Sequence, residues 1–268
     1  FKIALAPFHM WLVDVYNGLN YALTLFLNTV FKLGFFFILL KILWGPFYSS
    51  INSWWHIVYI LSIASIVIGY VGALYQKNIM SIISYSSISQ MGFAAIFFLN
   101  KNDIALSSLV LFFILYIVAN IGIFPILMWS DLNYKKLSTL NDLQGFASKK
   151  PFYGFMLAVF FLSLAGLPPL GGFFAKLLVV YTAIVGQYYV LAVVAVLASL
   201  LGMFFYTRIV RYIYMESATV DDSKIKKTRF TSMSNLVIIA CFLFILLFIV
   251  CLIPLNNFLS SFTIFNAL

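Results

Sequence analysis

Two lysines lie inside long apolar runs, and they are the residues of this chain best suited to proton chemistry. Lys32 lies in TVFKLGFFF, and Lys176 lies in LAGLPPLGGFFAKLLVV, shortly after two prolines. A lysine at the centre of a bilayer costs about 2.5–3.5 kcal/mol on insertion scales, so it needs a polar partner, a wet cavity or loss of its proton. Because burial disfavours the charged amine, both lysines are predicted to relay protons. The alternative is a structural lysine that reaches lipid phosphate.

Lys41 fits that alternative better. It follows Lys32 by nine residues, which is roughly 13 Å along a helix. Its head group therefore reaches the membrane interface, as long basic side chains commonly do. We expect Lys41 to be structural.

The run that contains Lys176 also carries residues that interrupt a helix. Two prolines remove backbone donors and three glycines relax the backbone; these residues are Gly166, Pro168, Pro169, Gly171 and Gly172. Unwound backbone survives at membrane depth only inside protein or beside a wet cavity, and such breaks mark ion pathways in transporters. A broken helix is predicted near 166–172, with a simple proline kink as the alternative.

A third apolar run, NIMSIISYSSISQMGF, is rich in hydroxyl groups. Ser84, Ser87 and Gln90 could line a path for water. Small hydroxyl residues also serve as packing contacts between membrane helices, and the sequence leaves both interpretations open.

The composition requires a membrane. Of the 268 residues, 64% are apolar and only 9% are charged, and a soluble domain cannot bury that much apolar surface. The runs are long and lack strand-like alternation, so helices are favoured over a barrel. We predict an all-α integral membrane bundle of seven spans, none containing an acidic residue: Leu19–Leu43, Trp55–Tyr75, Ile79–Leu99, Ile104–Trp129, Phe152–Tyr181 (interrupted), Val190–Arg211 and Leu236–Ile253.

The basic residues are distributed unequally over the connections between these spans. Alternating the connections between the two membrane faces leaves Lys101 alone on one face and the other loop lysines and arginines opposite. The basic face is therefore cytoplasmic or matrix-facing. Topology thus accounts for the net charge of +9, and no nucleic-acid partner is expected.

The sequence offers no cofactor or metal motif. It contains neither GxGxxG nor a Walker loop, and Cys241 and Cys251 stand ten residues apart in one apolar run. That spacing does not suit a metal or an iron–sulfur cluster. Both cysteines are predicted to be packing residues, and His56, beside Trp54 and Trp55, an interfacial one.

Three motifs occur in order along the chain: KIALAPFHMWLVDVYNG (2–18), YSSISQMGF (85–93) and LSLAGLPPLGGFFAK (162–176). They resemble signatures of the antiporter-like subunits of respiratory complex I, the proton-pumping NADH:ubiquinone oxidoreductase. The DVY-x-G after PFH-x-W is most similar to the branch called subunit 2 in mitochondria and subunit N in bacteria. The resemblance implies the C-terminal part of an antiporter-like bundle, with one complete discontinuous helix and the remnant of another.

The resemblance also implies roles for individual residues. Lys2, Lys32 and Lys176 match the relay lysines of the family, and His9 matches the histidine near its first break, at Pro7. Some positions depart from the family pattern. Val13 stands where proline is usual, Gln90 stands where the bacterial subunit has histidine, and the family glutamate that pairs with the first lysine is absent.

From the resemblance we expect three regions. Residues 1–43 end a first inverted repeat, 44–215 form a second, and 216–268 form a loop and a final span. Expected partners are other membrane-arm subunits, lipids and a separate chain carrying the missing N-terminal half.

The expected function is proton translocation in the inner mitochondrial membrane with basic loops in the matrix, or alternatively in a bacterial plasma membrane. NADH, FMN, iron–sulfur clusters and ubiquinone would be bound by other subunits, with no redox chemistry in this chain. Two other functions stay open. One is a stand-alone cation/proton antiporter, and the other is a structural scaffold of the membrane arm that has lost pumping.

Overall fold

The long apolar runs form helices. The computed structural model describes residues 1–133, 139–215 and 232–261. Its main helices are α1 (Met10–Gly18), α2 (Tyr21–Trp44), α3 (Ile51–Tyr75), α4 (Ile79–Ala95), α5 (Asp103–Asn133), α6 (Pro151–Ala165), α7 (Gly171–Val185), α8 (Tyr189–Met215) and α9 (Ser232–Ser261). Short 3-10 turns extend α3 and α4, and Leu140–Leu143 and Phe146–Lys149 form single turns before α6.

Five helical stretches of the described chain are long and apolar enough to cross a membrane: Tyr21–Trp44, Tyr48–Tyr75, Ile79–Leu99, Ile104–Leu132 and Tyr189–Tyr214. The predicted interrupted span is two helices of 15 residues each, α6 and α7. The last predicted span lies within α9. The all-α membrane bundle predicted from the sequence is therefore confirmed.

α5 extends past the end predicted for its span. No acidic residue was expected within the spans, and the helix that carries the fourth span continues past Trp129 to Asn133, so this helix includes Asp131. Helical hydrogen bonding continues past Trp129, the predicted end, because nothing in the sequence up to Asn133 breaks it. The polar stretch between the fourth and fifth predicted spans therefore begins within α5, and its residues 134–138 lie outside the described part of the chain.

α4 lies at the centre of the bundle, with 94% of its spanning window buried. Glycine lets α3 approach it closely. A Cβ added at Gly69 would lie 2.6 Å from the backbone nitrogen of Ser89, and one added at Gly92 would lie 2.9 Å from that of Ile66. Such backbone-to-backbone packing is how membrane helices associate without a hydrophobic driving force. The hydroxyl-rich helix is thus enclosed on all sides.

α2 changes its winding just before its central lysine. Residues Leu27–Phe31 form one π-helical turn between two α-helical stretches. A π turn inserts one residue and redirects the side chains that follow it. Asn28, Thr29 and Lys32 are all buried. The π turn therefore brings polar groups and the lysine together on the inner face of α2.

The segment before α1 is not helical. Its backbone is held by α3, because the Ala6 N–H donates to Ser65 Oγ at 2.8 Å. Pro7 and Phe8 are exposed, while His9, which precedes α1, is buried. The first predicted break thus lies at the surface of the bundle, where Pro168 and Pro169 of the second break are exposed as well.

Candidate functional site

Lys32 is held in a cluster of polar side chains. Its side chain is only 1% exposed, and its ammonium donates a hydrogen bond to Ser87 Oγ on α4. The Tyr16 ring of α1 lies 5.7 Å away from Nζ, at the distance of a cation–π contact. Three helices therefore contribute to the surroundings of this lysine.

An amide lies at the centre of that cluster. Asn28 Oδ1 is the acceptor for three hydroxyl groups: Ser87 Oγ at 2.6 Å, Tyr116 OH at 2.9 Å and Tyr16 OH at 3.2 Å. On its other side, Asn28 Nδ2 donates to Asn120 Oδ1 at 2.8 Å. The helical turn that positions Asn28 is the π turn, so local winding and the network depend on each other.

Lys176 is held by backbone instead. Pro168 and Pro169 have no N–H, so the carbonyls four residues earlier lose their helical donors. Lys176 Nζ donates to one of these, Ala165 O, at 2.6 Å. Gln90 Nε2 donates to the other, Leu164 O, at 3.3 Å. Both carbonyls freed by the prolines thereby find side-chain donors.

The turn between α6 and α7 depends on glycine. Gly166 has φ +85° and ends α6 in the left-handed region, which glycine adopts at little cost. At the start of α7 the Gly172 N–H donates to Ser163 Oγ at 3.1 Å. The break is thus closed on both sides. Above it, the rings of Tyr70 and Phe93 each lie 5.5 Å from Lys176 Nζ.

Two small cavities lie between the lysine sites. One, of about 20 Å³, touches Lys176, Gln90 and Tyr116. The other, of about 10 Å³, touches Asn28, Tyr116 and Tyr206. A cavity of roughly 10–15 Å³ with polar partners holds a single water molecule. Because Tyr116 borders both cavities, polar groups and water-sized spaces connect Lys32 to Lys176.

A known family, described as NADH:quinone oxidoreductase/Mrp antiporter, TM, matches residues 1–202. The chain belongs to this family. NADH-quinone oxidoreductase subunit N of Parvibaculum lavamentivorans is 37% identical over 218 residues, which are 81% of this chain and 45% of that protein. The chain therefore spans about half the length of the curated relatives it matches.

Solved structures share the fold. A chain of respiratory complex I from Thermus thermophilus with bound aureothin is 27% identical, with a TM-score of 0.77 over 91% of this chain and 53% of that one. A chain of the Mrp complex from a Dietzia species has a TM-score of 0.75 at 24% identity, over 83% of this chain and 41% of that one. The family resemblance inferred from the three motifs is thus confirmed.

The structure places the predicted relay residues in different environments. Lys32 and Lys176 are both buried and are connected by the polar groups above. Lys2 is exposed, and its ammonium lies 4.5 Å from the centre of the Phe35 ring. His9 is buried, with its ring 6.2 Å from that of Tyr85. The first lysine is therefore at the surface of this antiporter-type bundle.

The residues predicted to line a water path have different contacts in the structure. Ser87 contacts Lys32, and Gln90 contacts the helix break. The hydroxyl of Ser84 donates to Met80 O of its own helix at 2.7 Å, a common local arrangement for serine. One turn earlier, Ser81 Oγ exchanges hydrogen bonds with Asn17 at 3.0 and 3.1 Å. These contacts begin beside a large cavity on the basic face, which Asn17, Asn78 and Asp131 help to line.

Tyr16 and three further residues of the Lys32 cluster were missed from the sequence. Asn28, Tyr116 and Asn120 are polar groups deep in apolar runs, and all three are buried. A buried amide requires hydrogen-bond partners just as a buried charge does. Asparagine in the middle of a predicted span was therefore the available signal.

Proposed function

We propose that this chain is a proton-translocating part of the membrane arm of an NADH:quinone oxidoreductase, the complex to which its named relatives belong. The observation that carries the proposal is the pair of buried lysines joined by polar side chains and two water-sized cavities. The chain itself carries no redox step in this proposal. NADH, FMN, iron–sulfur clusters and ubiquinone are handled by other subunits.

The proposed mechanism uses repulsion between like charges. Two ammonium groups in a medium of low dielectric constant repel each other more strongly than they would in water. A proton arriving at one lysine therefore favours release from the other. Water molecules in the two cavities, bordered by Tyr116 and Gln90, would carry the proton between them.

The test is proton pumping by the assembled complex in proteoliposomes, driven by NADH and a quinone. Lys32→Met and Lys176→Met should each lower the number of protons moved per electron, while the complex assembles normally. Lys41→Met is the matched control, because it removes an exposed lysine from the same helix and should pump at the wild-type level.

The other functions correspond to defined outcomes of that experiment. Unchanged pumping by both buried-lysine variants would show that the chain is a scaffold. Sodium-dependent proton exchange by the chain without NADH or other respiratory subunits would show a stand-alone antiporter, the activity class suggested by the shared fold of the Mrp complex.

We propose in addition that a separate polypeptide and membrane lipids cover the outer face of α1 and α2. Exposed apolar side chains on that face, including Met10, Phe26 and Val30, support this, as does the exposed Lys2. We place the complex in the inner mitochondrial membrane, with the bacterial plasma membrane as the alternative. Mass spectrometry of the purified complex, with cross-links from Lys2, should identify a second chain. Cross-links that fall only within one continuous polypeptide would refute a split subunit.

A further inference from the structure

The hydrogen bonds around Lys32 have a fixed order of donors and acceptors, and a backbone carbonyl oxygen determines that order. Asn120 Nδ2 donates to Tyr116 O, one turn earlier on α5, at 2.7 Å. A carbonyl oxygen can only accept. The amide of Asn120 must therefore turn its nitrogen toward α5's own backbone and its oxygen toward α2.

The orientation of the Asn120 amide determines that of the Asn28 amide. Asn120 Oδ1 accepts from Asn28 Nδ2 at 2.8 Å, so the oxygen of Asn28 must face the opposite way. There it meets the hydroxyls of Tyr16, Tyr116 and Ser87. Each of these groups has one proton to give, and an amide oxygen offers no proton in return.

Lys32 lies at the end of this sequence of donors. Because Ser87 gives its proton to Asn28, the Ser87 oxygen presents a lone pair to the Lys32 amine. An ammonium group has donors only, whereas a neutral amine also needs a donor for its lone pair. The cluster is thus complementary to the protonated lysine.

We propose that Asn120 and Asn28 are positioning residues that fix the hydrogen-bond direction at Lys32, so that the Ser87 oxygen is kept as an acceptor for the protonated lysine. This inference rests on the proposed function and deepens it. Ser87 Oγ also lies 3.0 Å from Tyr116 OH, a contact in which either hydroxyl can donate, but while both hydroxyls donate to Asn28 Oδ1 neither has a proton left for the other. In this arrangement Ser87 is a ligand of the ammonium.

The titratable groups near this cluster come from three helices. Tyr16 on α1 and Tyr116 on α5 donate to Asn28. Tyr206 on α8 lies one contact further away and pairs with Ser86 at 2.5 Å. Since tyrosine hydroxyls are neutral over the working range of the complex, a change of pumping with pH at this site reports on Lys32.

The experiment compares two nearly isosteric substitutions in the assembled complex. Thr at position 120 can donate to the carbonyl of residue 116 and accept from Asn28, as Thr does with a carbonyl four residues earlier in helices. Val can do neither. Asn120→Val should move the alkaline limit of proton pumping to lower pH by about one to two units, the equivalent of one hydrogen bond to a charged group. Asn120→Thr should stay near the wild-type profile.

A double variant tests whether Asn120→Val acts through the hydrogen-bond direction or through side-chain packing. In Asn28→Asp, the carboxylate accepts from the hydroxyls whichever way residue 120 points, so Asn120→Val should have no further effect in that background. Equal shifts from Val and Thr, no shift from Val, or the same Val shift in both backgrounds would each overturn the inference. Lys32→Met tells the two proposals apart: if it pumps normally, the proposed function itself fails.

Discussion

The two buried lysines of this bundle are held in opposite ways. Lys32 meets side chains, because its acceptor is the Ser87 hydroxyl within a network of amides and tyrosines. Lys176 meets the main chain, because its acceptor is the Ala165 carbonyl that Pro169 leaves without a donor. Side-chain groups rotate and can be exchanged one at a time, whereas a carbonyl in a closed turn cannot. The first site is therefore sensitive to single substitutions of its neighbours, and the second is sensitive to changes of backbone.

The largest effect should come from Gly172→Ala. An added Cβ there would overlap the backbone carbonyl oxygen of Ser163, so the turn that holds Lys176 cannot close without moving backbone. We expect the assembled complex to fall several-fold or more, measured on native gels. Gly34→Ala is the control, because nothing lies within 4 Å of its added Cβ. Normal assembly of Gly172→Ala would show that the break tolerates backbone movement.

Ser87→Ala should have the next largest effect, on pumping rather than on assembly. It removes the acceptor of the Lys32 ammonium, and a hydrogen bond to a charged group contributes about 1.5–3 kcal/mol. We expect the pumping rate to fall at least about tenfold. Thr24→Val is the control. It also removes a buried hydroxyl, but one on α2 that bonds to its own helix, and this variant should pump normally. Equal losses of pumping from the two variants would mean that the effect of Ser87→Ala does not depend on its contact with Lys32.

Gly166→Ala should have an intermediate effect. A non-glycine residue at φ +85° costs about 1–2 kcal/mol, and its Cβ would lie 2.8 Å from Lys176 Cδ. A loss of this size changes cellular abundance several-fold. Quantitative immunoblots of membranes should show this drop, with pumping per remaining complex also reduced. Reduced abundance with unchanged pumping per complex would show that the turn contributes to stability but not to the function of Lys176.

The smallest effect should come from Gln90→Leu. Its hydrogen bond to Leu164 O is long, at 3.3 Å, and the adjoining cavity has room for a water that could replace it. We expect pumping within about twofold of wild type, since a neutral hydrogen bond contributes only about 0.5–1.5 kcal/mol. A loss as large as that of Ser87→Ala would show that the Lys176 site also depends on one side chain.

The two sites differ as well in how far the sequence predicts them. Pro168, Pro169 and the neighbouring glycines indicate a break, because their effect on backbone is local and holds in any context. The π turn at Leu27–Phe31 has no such signal, since this stretch contains neither proline nor glycine. The partners of Lys32 come from residues 16, 87 and 116, so only the fold shows that they meet.

The positions of the spans were predictable for a similar reason. Hydropathy and the distribution of Lys and Arg are properties of whole segments and do not depend on detailed packing. The end of α5 was not, because Asp131 lies inside a helix that a polar sequence would be expected to end. Direction within the Asn120–Asn28 pair was also beyond the sequence, since it depends on which atom of the Asn120 amide faces the backbone.

The ending of α6 at Ala165 has one more consequence for Lys176. Aligned peptide dipoles place about half a negative charge at the carboxyl end of a helix, and the Lys176 amine donates to the last carbonyl of α6. The half-helix therefore acts as the counter-charge of this lysine without any carboxylate. Peptide dipoles, unlike Asp or Glu, cannot be neutralised by a proton, so this attraction stays constant as pH falls.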